Sequence, residues 1–155
     1  MVSEPADSPR RWCFGCGDEN PQGLHIQFSI EDGAAVGRFV TVHAHQGYPG
    51  VAHGGVAAAA LDEAMGWAMY AAGAWAMTAR MEVRFRRPVP LGDTLTVRAQ
   101  VSRDRGRWLE ARGDIRSEGG QVLAEARALF MRLPADRARQ MQEFYVGRAG
   151  EPAGE

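Results

Sequence analysis

GGVAAAALDEAMGWAMYAA, residues 54–72, is the stretch that decides how the rest of the chain is arranged. It is rich in Ala, Met and Leu and contains no proline, so it reads as a helix. Its only charges are the adjacent Asp62 and Glu63, and its remaining surface is apolar nearly all round. A helix of that kind is expected to be buried on most faces, wrapped by a sheet or pressed on a neighbour.

Outward from the helix, the flanking segments read as strands. Residues 23–31 (GLHIQFSIE) place Leu24, Ile26, Phe28 and Ile30 at the two-residue period of a half-buried strand. Asp32-Gly33 then suits a hairpin turn, with residues 35–42 returning. After the helix, residues 79–87, 94–103, 107–116 and 121–132 are all strand-like, separated by short breaks rich in Pro, Gly and Asp. Parallel strands would need crossover helices, and none separates these segments, so the sheet is expected to be antiparallel. The fold class is therefore α+β, a long central helix wrapped by a curved antiparallel β-sheet.

At 155 residues and 45% hydrophobic composition, the chain suits one domain, taken as residues 13–133. Residues 1–12 read as a flexible N-terminal arm and residues 134–155 as a C-terminal extension, partly disordered. A net charge of −1 argues against nucleic acid as partner, since phosphates call for a basic excess. No apolar run has the length of a membrane span, and the first residues lack the apolar core of a secretion signal, so a cytoplasmic location is expected. All eighteen basic residues are Arg, which excludes lysine-centred covalent chemistry.

The start of the helix carries the chemistry. In His53-Gly54-Gly55 the glycines stand where the first amides of a helix have no intrahelical partner, an end that favours anions and lets a ligand approach closely. The same glycines also suit a tight turn into the helix. Asp62 and Glu63 are costly to bury ionised, so at least one should face a cleft or a partner. Neighbours on a helix point about 100° apart, which leaves one for chemistry and the other for an ion pair, for instance with Arg80 or Arg84. Eight residues at about 1.5 Å each separate Gly54 from Asp62, roughly 12 Å, whereas one reacting carbonyl must lie within about 3 Å of both its oxyanion donor and its attacking group. If both features serve one reaction, they come from two chains whose helices run antiparallel across a twofold axis.

The order of HGG, LDE, the strand TARMEVRFRRPVPLGD and the head CFGCGDENPQGL, over about residues 13–133, resembles the hotdog-fold thioesterases of the PaaI-like group. The resemblance implies a hotdog fold and hydrolysis of acyl-CoA at a dimer interface, with dimers pairing into tetramers, and with no cofactor or metal beyond the CoA of the substrate. It implies that Asp62 is nucleophile or general base, that Gly54 and Gly55 with His53 form the oxyanion end, and that Thr78 stands near the attacking water. Some relatives carry Asn six residues before the HGG histidine. Here that position is Gly47, so Gln46 beside it is the candidate substitute. Glu63, Arg80, Arg84 and Arg86 complete the candidate substrate contacts, the arginines because their forks suit CoA phosphates. Trp67, Met69, Tyr70 and Trp75 are candidate acyl-pocket residues or core. A non-catalytic acyl- or CoA-binding hotdog module, or a hotdog hydratase or dehydratase drafting His53 and Glu63, is the alternative.

Two residues remain outside this reading. Cys13 and Cys16 superficially resemble a WCxxC redox pair, but no strand-to-helix junction surrounds them. A metal there would need two more ligands, from His25, His43, His45 or a second chain, and a turn packed on the domain edge is the simpler expectation. His43 and His45 are expected at the surface or in loops.

Overall fold

The structure is a computed structural model and describes residues 9–146. The arm over residues 1–8 and the tail from residue 147 lie outside these. A 3₁₀ turn at Pro9–Trp12 leads into the chain, followed by β1 (Gln27–Glu31), β2 (Ala34–Val40), a 3₁₀ turn at His43–His45, and α1 (Gly54–Ala71). Then come β3 (Ala76–Phe85), β4 (Thr94–Asp104), β5 (Trp108–Ser117), β6 (Val122–Arg132) and α2 (Ala135–Val146).

The six strands form one open antiparallel sheet in the order β1-β2-β4-β5-β6-β3, with α1 packed on one face. This is the hotdog arrangement. Along α1 the buried residues are Ala57, Ala60, Leu61, Ala64, Met65, Ala68 and Met69, a stripe at helical spacing. They meet inward-facing Leu95, Val97 and Ala99 of β4, Leu109, Ala111 and Ile115 of β5, and Ala124, Ala126, Ala128 and Phe130 of β6. Alanines on both sides let helix and sheet approach closely. In the single chain α1 is covered on one face rather than on most, and Ala58, Ala59, Asp62, Glu63 and Gly66 remain partly exposed.

The first strand is shorter than its hydrophobic alternation suggests. Leu24 and Ile26 are buried, but their amides bond to the carbonyls of Phe14 and Gly15 at 2.7 and 2.9 Å. The segment is thus tied to the cysteine-bearing turn before the sheet begins. His25 takes φ 50°, which breaks the extended run, and Ile30 is exposed. Asp32 and Gly33, with φ 50° and 76°, make the two-residue hairpin turn, where positive φ at both positions matches the twist of the strands.

His45 corrects the expectation of a surface histidine. It is buried, and its Nδ1 accepts from the Val42 amide at 3.1 Å, so it closes the turn ahead of α1. In the C-terminal extension, Ala135–Val146 forms a helix that the periodicity of the sequence does not announce. Good helix formers after Pro134 nucleate it, and Tyr145 stacks on Trp75 at 6.2 Å between ring centroids.

Candidate active site

His53 is the N-cap of α1, and its Nδ1 accepts the Gly55 amide at 2.9 Å. The Val56 amide bonds to the His53 carbonyl at 2.9 Å. The Gly54 amide has no acceptor among the described residues, so it is the open donor at this end, while that of Gly55 is engaged by His53. A Cβ built on Gly54 would only touch the Phe85 ring, at 3.4 Å. The approach of His53 to α1 is fixed by its own amide, which bonds to the His45 carbonyl at 2.8 Å.

Two turns along, Asp62 accepts a hydrogen bond from Thr78 Oγ1 at 2.6 Å. Thr78 reaches it because of a β-bulge. The pairing of β3 with β6 runs Thr78 to Phe130 and then Arg80 to Leu129, so Ala79 is the extra residue. Phe130 faces the helix, and so therefore does Thr78. Beyond the bulge Met81 and Val83 take over the inner face, which sends Arg80, Glu82 and Arg84 to the outer one. Without the extra residue Thr78 and Arg80 would share a side.

That switch separates the predicted arginines from Asp62. On the outer face Arg84 pairs with Glu82 at 3.1 Å, and Arg86 pairs with Glu125 at 2.5 Å. Arg80 is exposed and has no ion pair among the described residues. Gln46 Oε1 accepts the Gly50 amide at 3.0 Å, which closes the loop before α1. Gly47 packs against His53 so tightly that a Cβ would lie 3.0 Å from its Cα. A side chain at that position would require His53 to give by a few tenths of an ångström.

Glu63 points elsewhere. Its carboxylate does not pair with Arg80 or Arg84 but lies 3.4 and 3.5 Å from Cys13 Sγ. With Cys16 it forms a cluster whose donor atoms are all within 4.8 Å of one another. Burial pushes Glu63 up to about 7. A hydrogen bond with Cys16 pulls the Cys13 thiol down to about 5, whereas that same contact, and then burial, raise Cys16. This cluster, with Gly66, Trp67, Tyr70, Trp75 and Tyr145, lines a cavity of about 230 Å³. Met69 is fully buried in the core. No sequence pattern pairs Glu63 with the cysteines, although Gly15 holds a trace of it, since a Cβ there would collide with Glu63 Cγ at 2.3 Å.

The exposed edge of the sheet runs past Asp62. β3 is paired on one side only, and it carries Met77 and Phe85 at 64% and 56% exposure. Exposed apolar side chains on a ten-residue unpaired edge mark a surface suited to a second chain.

Comparison with known proteins agrees with this architecture. The chain is 35% identical over 94 residues to acyl-coenzyme A thioesterase THEM4 of Bos taurus, which is 60% of this chain and 38% of that protein. The chain thus spans about two fifths of the length of the curated relatives it matches. A solved thioesterase superfamily protein superposes with a TM-score of 0.75 at 34% identity, covering 78% of this chain and 60% of that one. The E. coli PaaI protein from the phenylacetic acid degradation operon gives 0.67 at 26% identity, covering 72% and 81%. Residues 49–124, which hold the capping histidine, Asp62 and Thr78, match the Thioesterase superfamily.

Proposed function

We propose that this protein hydrolyses acyl-CoA thioesters at a site shared by two copies of the chain. The observation that carries the reading is Asp62 Oδ1 held by Thr78 at 2.6 Å beside an unpaired sheet edge, with an open Gly54 amide on the same helix. The two stand roughly 12 Å apart along α1. A second copy with its helix antiparallel brings its Gly54 amide opposite the first copy's Asp62, and the pair of sites then follows from the twofold axis.

In that arrangement the thioester carbonyl oxygen accepts from the Gly54 amide and the helix end, which stabilise the charge that develops on it. Thr78 fixes one carboxylate oxygen, so the other faces the carbonyl carbon or a water beside it. Asp62 takes the water's proton as the new C–O bond forms, or attacks the carbon itself and is released by water in a second step. Collapse of either tetrahedral adduct breaks the C–S bond and CoA leaves as a thiolate, a group stable enough to need no dedicated acid; in the covalent route this precedes the attack of water on the acyl–Asp62 anhydride. Among the three candidate arginines, Arg80 is the one without a carboxylate partner among the described residues, which favours it over Arg84 and Arg86 as a contact for the CoA phosphates far from the thioester.

Complementation between inactive variants tests the shared site. Asp62→Asn removes the base. Gly54→Pro removes only the amide, because proline is tolerated at the first helical position, and the preceding His53 already has φ −57° and ψ 139°. Each variant alone should fail to release thiol from acyl-CoA substrates of graded chain length and aromaticity. An equal mixture, unfolded and refolded together, should regain about a quarter of wild-type activity, since half the dimers carry one intact site of two. No recovery, with heterodimers verified by mass spectrometry, would rule out the two-chain site. No cleavage of any CoA thioester by the intact protein would favour a binding module instead.

A further inference from the structure

We infer that Cys13, Cys16 and Glu63 form a binding site for one thiophilic divalent cation of the zinc class, which fastens the N-terminal turn to the middle of α1. The three residues offer two sulfurs and a carboxylate whose donor atoms lie within 4.8 Å of one another. In a tetrahedral zinc site, metal–sulfur bonds of about 2.3 Å and metal–oxygen bonds of about 2.0 Å set sulfur–oxygen edges of about 3.5 Å and sulfur–sulfur edges of about 3.8 Å. The Cys13 sulfur already stands 3.4 and 3.5 Å from the Glu63 oxygens. The Cys13–Glu63 edge thus matches that tetrahedron, and the Cys16 sulfur lies within 4.8 Å of both partners.

The backbone is built around the same three residues. Cys13 and Cys16 have the two-residue spacing of a metal-binding turn, and the Gly17 amide closes that turn on the Cys13 carbonyl at 2.9 Å. A Cβ on Gly17 would lie 2.4 Å from the Arg11 carbonyl oxygen and 2.5 Å from the Cys13 nitrogen, so only glycine lets the chain fold back so tightly. Gly15 lies flat on Glu63, with room for no side chain. Glu63 itself comes from a rigid helix, where it is partly buried among sulfurs and the Trp67 indole rather than beside a basic group.

Two thiolates favour zinc over the harder magnesium or calcium. Binding releases the thiol protons to solvent and leaves two thiolates and a carboxylate on the dication, a net charge of −1 for the filled site. All three ligands line the cavity of about 230 Å³ with Trp67, Tyr70, Trp75 and Tyr145, so the fourth position opens into it and takes water. His25 does not complete the set, because its ring nitrogens lie outside the 4.8 Å cluster of donor atoms. The assignment is independent of the hydrolase reading, which routes no step through this cluster.

The test uses the full chain, reduced, stripped with chelator, and dialysed against zinc or cobalt. We expect one equivalent of zinc per chain, a sulfur-to-cobalt charge-transfer band in the cobalt form, and a rise in Tm on adding zinc. Cys16→Ala should abolish the band. Glu63→Gln, which keeps the size of the side chain, should weaken zinc affinity by about tenfold or more, with the far-UV spectrum unchanged. Substoichiometric zinc in the reduced wild type overturns the assignment, as does affinity indifferent to Glu63→Gln. Isolation as a Cys13–Cys16 disulfide that takes up no metal after reduction would identify a redox pair in its place.

Discussion

Asp62 and Thr78 form a pair whose partners sit on different elements, and each depends on the other in a measurable way. Asp62→Asn keeps the shape and removes the basic oxygen, and should lower kcat for thioester cleavage by about 10² to 10⁴-fold. Thr78→Val keeps the β-branch and removes the 2.6 Å hydrogen bond. A bond to a charged group contributes about 1.5–3 kcal/mol, so kcat should fall by about 10 to 100-fold while KM moves little. Steady-state kinetics with released thiol reads both, and a Thr78→Val enzyme at wild-type rate would remove the threonine from the site. His53 acts on the helix through its Nδ1. His53→Ala deletes the cap on Gly55 and should cost about 1 kcal/mol in urea unfolding, whereas His53→Asn should recover most of that.

At the level of elements, the turn at residues 13–17 and the bulge in β3 are the features on which the sites depend. The two glycines of the turn are constrained differently: a Cβ on Gly17 meets backbone, while one on Gly15 meets the Glu63 side chain. Gly17→Ala should therefore destabilise the chain by about 1–3 kcal/mol in chemical unfolding, and more than Gly15→Ala, because a side chain yields to crowding and a backbone does not. Equal midpoints for the two variants would contradict that ordering. The bulge has the opposite relation to sequence. Strand β3 was legible as a strand, yet its side-chain directions were not, since one extra residue reverses which positions face the helix. Thr78 was found by its resemblance to relatives, whereas the consignment of Arg84 and Arg86 to ion pairs on the far face needed the register.

For the molecule as a whole, the unpaired β3 edge and its exposed Met77 and Phe85 offer the surface that the proposed two-chain site requires. Phe85→Glu places a charge beside Gly54 on that surface. In sedimentation velocity the wild type should run as a dimer or as a tetramer built from dimers, and Phe85→Glu should shift it toward monomer with a parallel loss of thioesterase activity. A wild type that stays monomeric at micromolar concentration would contradict the two-chain site. Among the described residues no helix is long and apolar enough to cross a membrane.

Local patterns along the chain suffice for the central helix, the number and order of the long strands, the hairpin at Asp32-Gly33 and the candidacy of His53, Gly54 and Asp62. Those features follow from local rules: apolar periodicity, glycine at positive φ, and the amides left open at a helix start. It took the folded chain to show that His45 is buried, that Gly55 engages its amide with His53, and that Glu63 meets Cys13 and Cys16 across fifty and forty-seven positions. Each of these depends on which segments lie side by side once the sheet has closed over α1. No pattern within a single segment encodes that, because contacts far apart in the chain are selected by packing and by the pairing of otherwise unsatisfied polar groups.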